Sequence, residues 1–269
     1  MRDPPGCTLH DAGGAPVALE AAAADLAGAD VVLFGELHGV RPVHDLAHAL
    51  ARELHRAWGP RMALGAEMLE SDDQLVLDEY LAGLIPHRHL AAEAKLWDGH
   101  ETDYRPLLEL ARENRLRLVA TNAPRRYAGI VAREGLAGLS RLSPEALRLL
   151  APLPIELDWD TPGYREMLSL DLPMGGGPVR PENLVAAQAL KDATMAHFVS
   201  RAVTRGTALL HVSGAYHSQG RGGICWWLER ARPELRVRTV TAVLGEPGRL
   251  GAEHRGAGDY VAVASAGSA

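Results

Sequence analysis

A short apolar run, Val31-Val32-Leu33-Phe34, stops abruptly at Gly35 and hands the chain to a carboxylate and an imidazole, Glu36 and His38. Such a run, rich in β-branched residues, reads as a buried strand that delivers two reactive side chains at its carboxyl end. The same grammar returns at Met62–Glu67, Arg117–Thr121, Ala208–Ser213, Val237–Val243 and Tyr260–Ala264. Helical stretches lie between. One covers 18–27, one runs from Pro42 to Trp58 before Gly59-Pro60, and one from Ser71-Asp72-Asp73 to Leu81. Further helical stretches fall partly within 84–100, over 104–114 with Asp103 as cap, from Pro124, from Ser143-Pro144-Glu145, over 182–205, and from Gly220–Gly223 to Ala231. Strand alternating with helix predicts one three-layer α/β domain: a mostly parallel central sheet with helices on both faces.

The core spans about 18–264 of the 269 residues. Residues 1–16 are Pro- and Gly-rich and read as irregular, and the tail Ser265–Ala269 as frayed. Residues 151–181 break the rhythm with Pro152, Pro154, Pro162, Pro173, Pro178, Pro181 and Gly175-Gly176-Gly177. A long punctuated insertion of this kind is functional or mobile and suits a lid; its core is too small for a second domain.

Charge removes several function classes. A net charge of −6 leaves no basic field for nucleic acid or an anionic membrane. Cys7 and Cys225 show no C-x-x-C spacing, which argues against a disulfide framework and a thiolate zinc site. No apolar stretch precedes Cys7, so no intact secretory or lipoprotein signal is expected, and no run approaches the length of a membrane span. The expected location is the cytoplasm, or the periplasm or a membrane surface if a leader is missing.

In parallel α/β sheets ligands bind beyond the carboxyl ends of the strands. Here those ends carry Glu36 and His38, Glu67, Thr121-Asn122, and Ser213-Gly214-Ala215-Tyr216-His217. Any one of these residues reads equally well as a cap or a solvated loop group; agreement among four strands favours a pocket. Glu36, His38, Glu67 and His217 would suit general acid–base work or an oxygen- and nitrogen-ligated ion such as zinc, iron or manganese. His44, His48 and His55 share a stripe on the helix after Pro42, beside the apolar face of Val43, Leu46, Leu50 and Leu54. That stripe reads as solvated or rim-facing, with His44 in the first turn near Glu36. Trp159, Tyr164, Met167 and Met174 in the insertion could cover a flat hydrophobic ligand or simply pin the loop. Trp97 and Tyr104 anchor the middle helices, and one of Trp226 and Trp227 is expected to face a partner. No G-x-S-x-G elbow, Walker A or strand-linked G-x-G-x-x-G is present.

These residues resemble the ChaN family of haem-binding, iron-regulated proteins, related in turn to the erythromycin esterase and TIKI/TraB peptidase group. The resemblance rests on Gly35-Glu36-Leu37-His38 with His44, Glu67-Met68 with Gln74 and Tyr80, Trp97, Tyr104, and Asn122-Ala123-Pro124-Arg125. It continues through Gln188 with Asp192, Met195-Ala196 and Gly214-Ala215-Tyr216-His217, in order from about residue 29 to 264. The resemblance implies haem binding in iron uptake, often in dimers that enclose haem at their interface and often with a lipid anchor. A phenolate favours ferric iron. Tyr164 in the insertion is the first candidate ligand and Tyr216 the second, with His44 and Asn122 as further cofactor-site residues. The hydrolase relatives imply an alternative, a metal-dependent esterase or peptidase. In it Glu36 is the base, Glu67 a ligand or second carboxylate, and His38 and His217 ligands or proton carriers.

Overall fold

The computed structural model describes residues 5–168 and 180–265. Seven strands form one sheet: β1 Cys7–Asp11, β2 Val31–Glu36, β3 Met62–Glu70, β4 Arg117–Asn122, β5 Ala208–Gly214, β6 Val237–Leu244 and β7 Tyr260–Ala264. Their order is β1-β7-β6-β2-β5-β3-β4, and every pairing is parallel except β1 with β7. The helices are α1 Leu19–Leu26, α2 Arg41–Trp58, α3 Gln74–Leu81, α4 His87–Glu93, α5 Arg105–Asn114, α6 Arg125–Glu134, α7 Pro144–Leu147, α8 Tyr164–Met167, α9 Pro181–Ala202 and α10 Gly223–Ala231.

Alternation along the strands builds the three layers. Val32, Phe34, Leu210 and Val212 pack with Leu46, Leu50 and Leu54 of α2 on one face. Val31, Leu33 and Leu209 pack with Met195 and Val199 of α9 and Ile224 and Leu228 of α10 on the other. Full burial of each such Leu, Phe or Val is worth about 1.5–3 kcal/mol. This explains why β2 is buried along its whole length.

Four expectations need correction. The segment read as irregular at the start holds β1, whose Cys7 and Leu9 point into the core while the strand pairs with β7. β3 extends past Glu67 to Glu70, with a shift in its register against β4 after Ala66. The helix after Ser143 is only α7, capped by the Ser143 hydroxyl accepting from the Ala146 N–H. Asp103 does not cap α5; it lies inside a π-helical turn, His100–Tyr104. Within the insertion, Tyr164, Trp159 and Met167 pack against Val185 and Ala189 of α9, so these side chains secure the loop to the core. Pro173, Met174, Gly175–Gly177 and Pro178, and the tail beyond Ser265, lie outside the described residues.

At the β4 edge, the Gln74 side chain stands in for a further strand. Its Oε1 accepts from the Ala120 N–H at 2.8 Å, and its Nε2 donates to the Leu118 carbonyl at 3.1 Å.

Candidate functional site

β2, β5, β3 and β4 are consecutive neighbours, so the ends carrying Glu36, Gly214–His217, Glu67 and Asn122 fall along one rim. The chain diverges there. From β2 it leaves through α2 on one face towards β3, and from the adjacent β5 through α10 on the other face towards β6. Such a switch point opens a crevice between the two strands.

On the α2 side the centre is Glu36, 1 % exposed. Its Oε1 accepts from the Tyr104 hydroxyl at 3.1 Å and lies 2.5 Å from His38 Nδ1; its Oε2 faces His44 Nε2 at 3.3 Å. The bond to Glu36 raises the His38 pKa against the opposing effect of burial. Burial and the Glu36 charge push the Tyr104 phenol upward, so it stays protonated and donates. His38 is half exposed, with the Trp97 ring edge-on at 5.1 Å. Beside it lies a hollow of about 630 Å³ lined by Trp97, Tyr104 and Arg125.

On the α9 side, buried Glu67 accepts the Gly214 N–H through Oε2 at 2.7 Å and meets His217 Nε2 through Oε1 at 3.0 Å. His217 Nδ1 lies 2.5 Å from Asp192 Oδ1, and Asp192 Oδ2 accepts from the Tyr164 hydroxyl at 2.8 Å. The result is a buried chain of carboxylate, imidazole, carboxylate and phenol. Burial works against charge on His217, but Glu67 and Asp192 outweigh it and hold its pKa up at about 10. Burial also opposes ionisation of Glu67, and His217 with the Gly214 N–H brings it down to about 2. Asp192 is pushed upward by burial. At neutral pH the core of this chain is therefore an imidazolium held by Glu67.

Two glycines let the halves meet. A Cβ on Gly214 would sit 3.1 Å from His38 Nε2 and 3.6 Å from Glu67 Oε2, so residue 214 separates the two groups by a bare backbone. A Cβ on Gly35 would lie 2.8 Å from the Ala215 Cα, which explains why the strand end before Glu36 is a glycine.

A family profile for haem-binding uptake proteins of the ChaN type, within the Tiki superfamily, matches residues 22–228. The chain belongs to this family. Among solved structures, the ChaN of Campylobacter jejuni, described as binding haem cofacially, superposes with a TM-score of 0.72 at 17% identity, covering 96% of this chain and 97% of that one. The type III effector HopBA1 gives a TM-score of 0.50 at 14% identity, over 92% of this chain and 93% of that one. At these identities the likeness is one of fold. A search of curated protein sequences gives no match.

The ChaN-type rim gathers Glu36, His38 and His44 in one group and Glu67 and His217 in the other. Asn122 is buried at the end of β4, in register with Glu70. Among the described residues, no three of Glu36, His38, Glu67 and His217 bring ligand atoms within 4.8 Å of one another. Of the His stripe read as solvated or rim-facing, His44 lies beside Glu36 as its first-turn position implied, whereas His48 is buried, because the turn His100–Tyr104 closes over α2 and the Asp103 carbonyl lies 2.8 Å from His48 Nε2. His55 alone stays half-buried. Trp226 and Trp227 are both half-buried, with the Arg230 guanidinium over Trp226. Tyr164 lies in the interior, 2 % exposed and committed to Asp192, whereas Tyr216 is 68 % exposed. The role of Asp192 was not visible in the sequence. Its signal is a carboxylate between the buried Ala189-Leu190 and Ala193 of a helix, four residues after Gln188.

Proposed function

We propose that this ChaN-family chain binds haem at the rim for iron or haem uptake, with Tyr216 as the ligand to ferric iron. The observation that carries the reading is the placement of Tyr216. It stands exposed in the turn after β5, beside a hollow of about 290 Å³ lined by Pro162, Gly163, Glu166, Met167, Gln219 and Gly220. A phenol on an open face beside Pro162, Met167 and two glycines fits a flat macrocycle, and a phenolate suits ferric iron. Tyr164 does not fit that role: burial and Asp192 push its phenol strongly upward, and no open face reaches its hydroxyl. The bound group supplies iron chemistry. The protein supplies one oxygen ligand, an apolar bed, and a buried imidazolium at His217, the next residue, which anchors the turn through Glu67 and Asp192. A second copy of the chain is the natural cover for a macrocycle held on an open face. Titration of the purified protein with hemin tests the reading. A Soret band that shifts and weakens in Tyr216→Phe is expected; no band with micromolar protein, or identical spectra for wild type and Tyr216→Phe, would refute it.

A second reading, hydrolysis at the His38 hollow, is favoured by one observation. Glu36 holds His38 through Nδ1 at 2.5 Å, which leaves Nε2 as the atom next to Gly214 and the hollow. In that role Glu36 orients His38 and the imidazole moves the proton. A panel of activated esters and small peptides tests it; turnover equal in wild type and His38→Ala would count against it.

A further inference from the structure

Away from the rim, His87 at the start of α4 meets His100 and Glu101 at the start of the π-turn. The His87 and His100 rings lie within 13° of one plane, with centroids 5.3 Å apart and Nε2 atoms 3.1 Å apart. Nitrogen faces nitrogen, so one ring carries a proton there and the other presents a lone pair. Glu101 Oε1 lies 3.6 Å from His87 Nδ1, and its Oε2 accepts from Arg105 Nη1 at 2.6 Å. Among the described residues, this is the one group of three or more His, Cys, Asp or Glu whose ligand atoms all lie within 4.8 Å of one another.

Two imidazole nitrogens bonded to one tetrahedral zinc at ~2.0–2.1 Å stand roughly 3.3 Å apart, close to the spacing seen here. We infer that His87, His100 and Glu101 form a site for a divalent transition-metal ion of the zinc class, separate from the rim. The ion takes the place of the proton shared by the two rings, which moves to the other nitrogen of the same ring, so both imidazoles bind uncharged. The rings tilt so that both lone pairs meet beside the line joining them. Exposed Glu101 turns Oε1 inward as the third ligand, and Arg105 remains on Oε2 as the partner that orients a ligating carboxylate. Water fills the fourth position. Two nitrogens and one oxygen favour zinc, nickel or copper over magnesium or calcium.

The location gives the ion a consequence. Tyr104 ends the same turn that His100 begins, and its hydroxyl holds Glu36. π-turns are rare and concentrate at functional sites. A metal on His100 fixes the turn that carries Asp103 and Tyr104 against His44, His48 and Glu36.

Calorimetric titration of the haem-free protein with zinc chloride in two buffers of different ionisation enthalpy tests the proposal. The expected result is one ion per chain, the same binding heat in both buffers because the shared proton stays on its ring, a rise in melting temperature, and affinity about 10–100-fold weaker in Glu101→Gln. His87→Ala should abolish both the binding and the melting shift. His100 is buried and its variant risks misfolding; His87 and Glu101 are more exposed, and their circular dichroism should match wild type. No zinc binding at hundredfold molar excess overturns the site, as does binding that His87→Ala and Glu101→Gln leave unchanged.

Discussion

Replacing Glu67 by Gln removes the charge that keeps His217 an imidazolium while preserving an oxygen for the Gly214 N–H. Glu67 moves from 4.5 to about 2 on folding, and at ~1.4 kcal/mol per unit this is about 3 kcal/mol. The larger rise of His217 to about 10 includes the share of Asp192. The two shifts describe overlapping attractions and are not added; the smaller is the figure for the Glu67 pair. Loss of one member of a buried ion pair costs a similar amount, about 3–5 kcal/mol. The pKa of His217 is raised by folding, so its contribution is complete below 6.5 and lost as pH rises through about 10. Glu67 is depressed, so its contribution is complete above 4.5 and lost as pH falls through about 2. Urea unfolding should therefore place Glu67→Gln about 3 kcal/mol below wild type near pH 7, and the gap should shrink to under about 1 kcal/mol near pH 10.5. In the double variant Glu67→Gln/His217→Gln, the combined loss should fall short of the sum of the single losses by a similar amount. A gap that stays constant from neutral to alkaline pH, or strictly additive losses, would refute the ionic chain.

Other outcomes follow from the same contacts. Gly35→Ala should cost about 1–3 kcal/mol, because its Cβ meets backbone at Ala215 that cannot yield; differential scanning calorimetry should show a lower melting temperature. Tyr104→Phe should lose about 0.5–1.5 kcal/mol through the hydrogen bond to Glu36, and NMR titration should show the His38 pKa changed. Cys7 and Cys225 are buried, and burial pushes the Cys225 thiol up to about 12. Ellman's reagent should label neither thiol until denaturant is added, then both.

The β2 to β7 framework was legible because each strand is an apolar run cut by a glycine or a polar end. Rim residues Glu36, Glu67, Asn122 and His217 followed from that pattern and the rule for parallel sheets. β1 was not legible, since its five residues sit between Pro and Gly and its partner is the final strand. His48 read as part of a solvated or rim-facing stripe because sequence periodicity does not show that the His100–Tyr104 turn lies over it, whereas the first-turn position of His44 did place it near Glu36. Tyr164 and Asp192 were both singled out, but their pairing was not legible: one sits in an irregular insertion and the other inside a helix, and only the fold brings both to His217. The π-turn is likewise a tertiary product, with nothing in His100–Tyr104 to distinguish it from an ordinary first helical turn.

The amide of Gln74, laid along the outer strand β4, also bears on how copies of this molecule can meet. It occupies a donor and an acceptor that an incoming backbone would need, while at the opposite margin residues 15–17 fold back on β1, the Val17 N–H donating to the Leu9 carbonyl at 2.8 Å. Ribbon-to-ribbon joining into a continuous sheet across two molecules is thereby disfavoured at both margins. Any self-association is steered to the ends and broad sides of the layers, where side chains rather than main-chain ladders choose the partner.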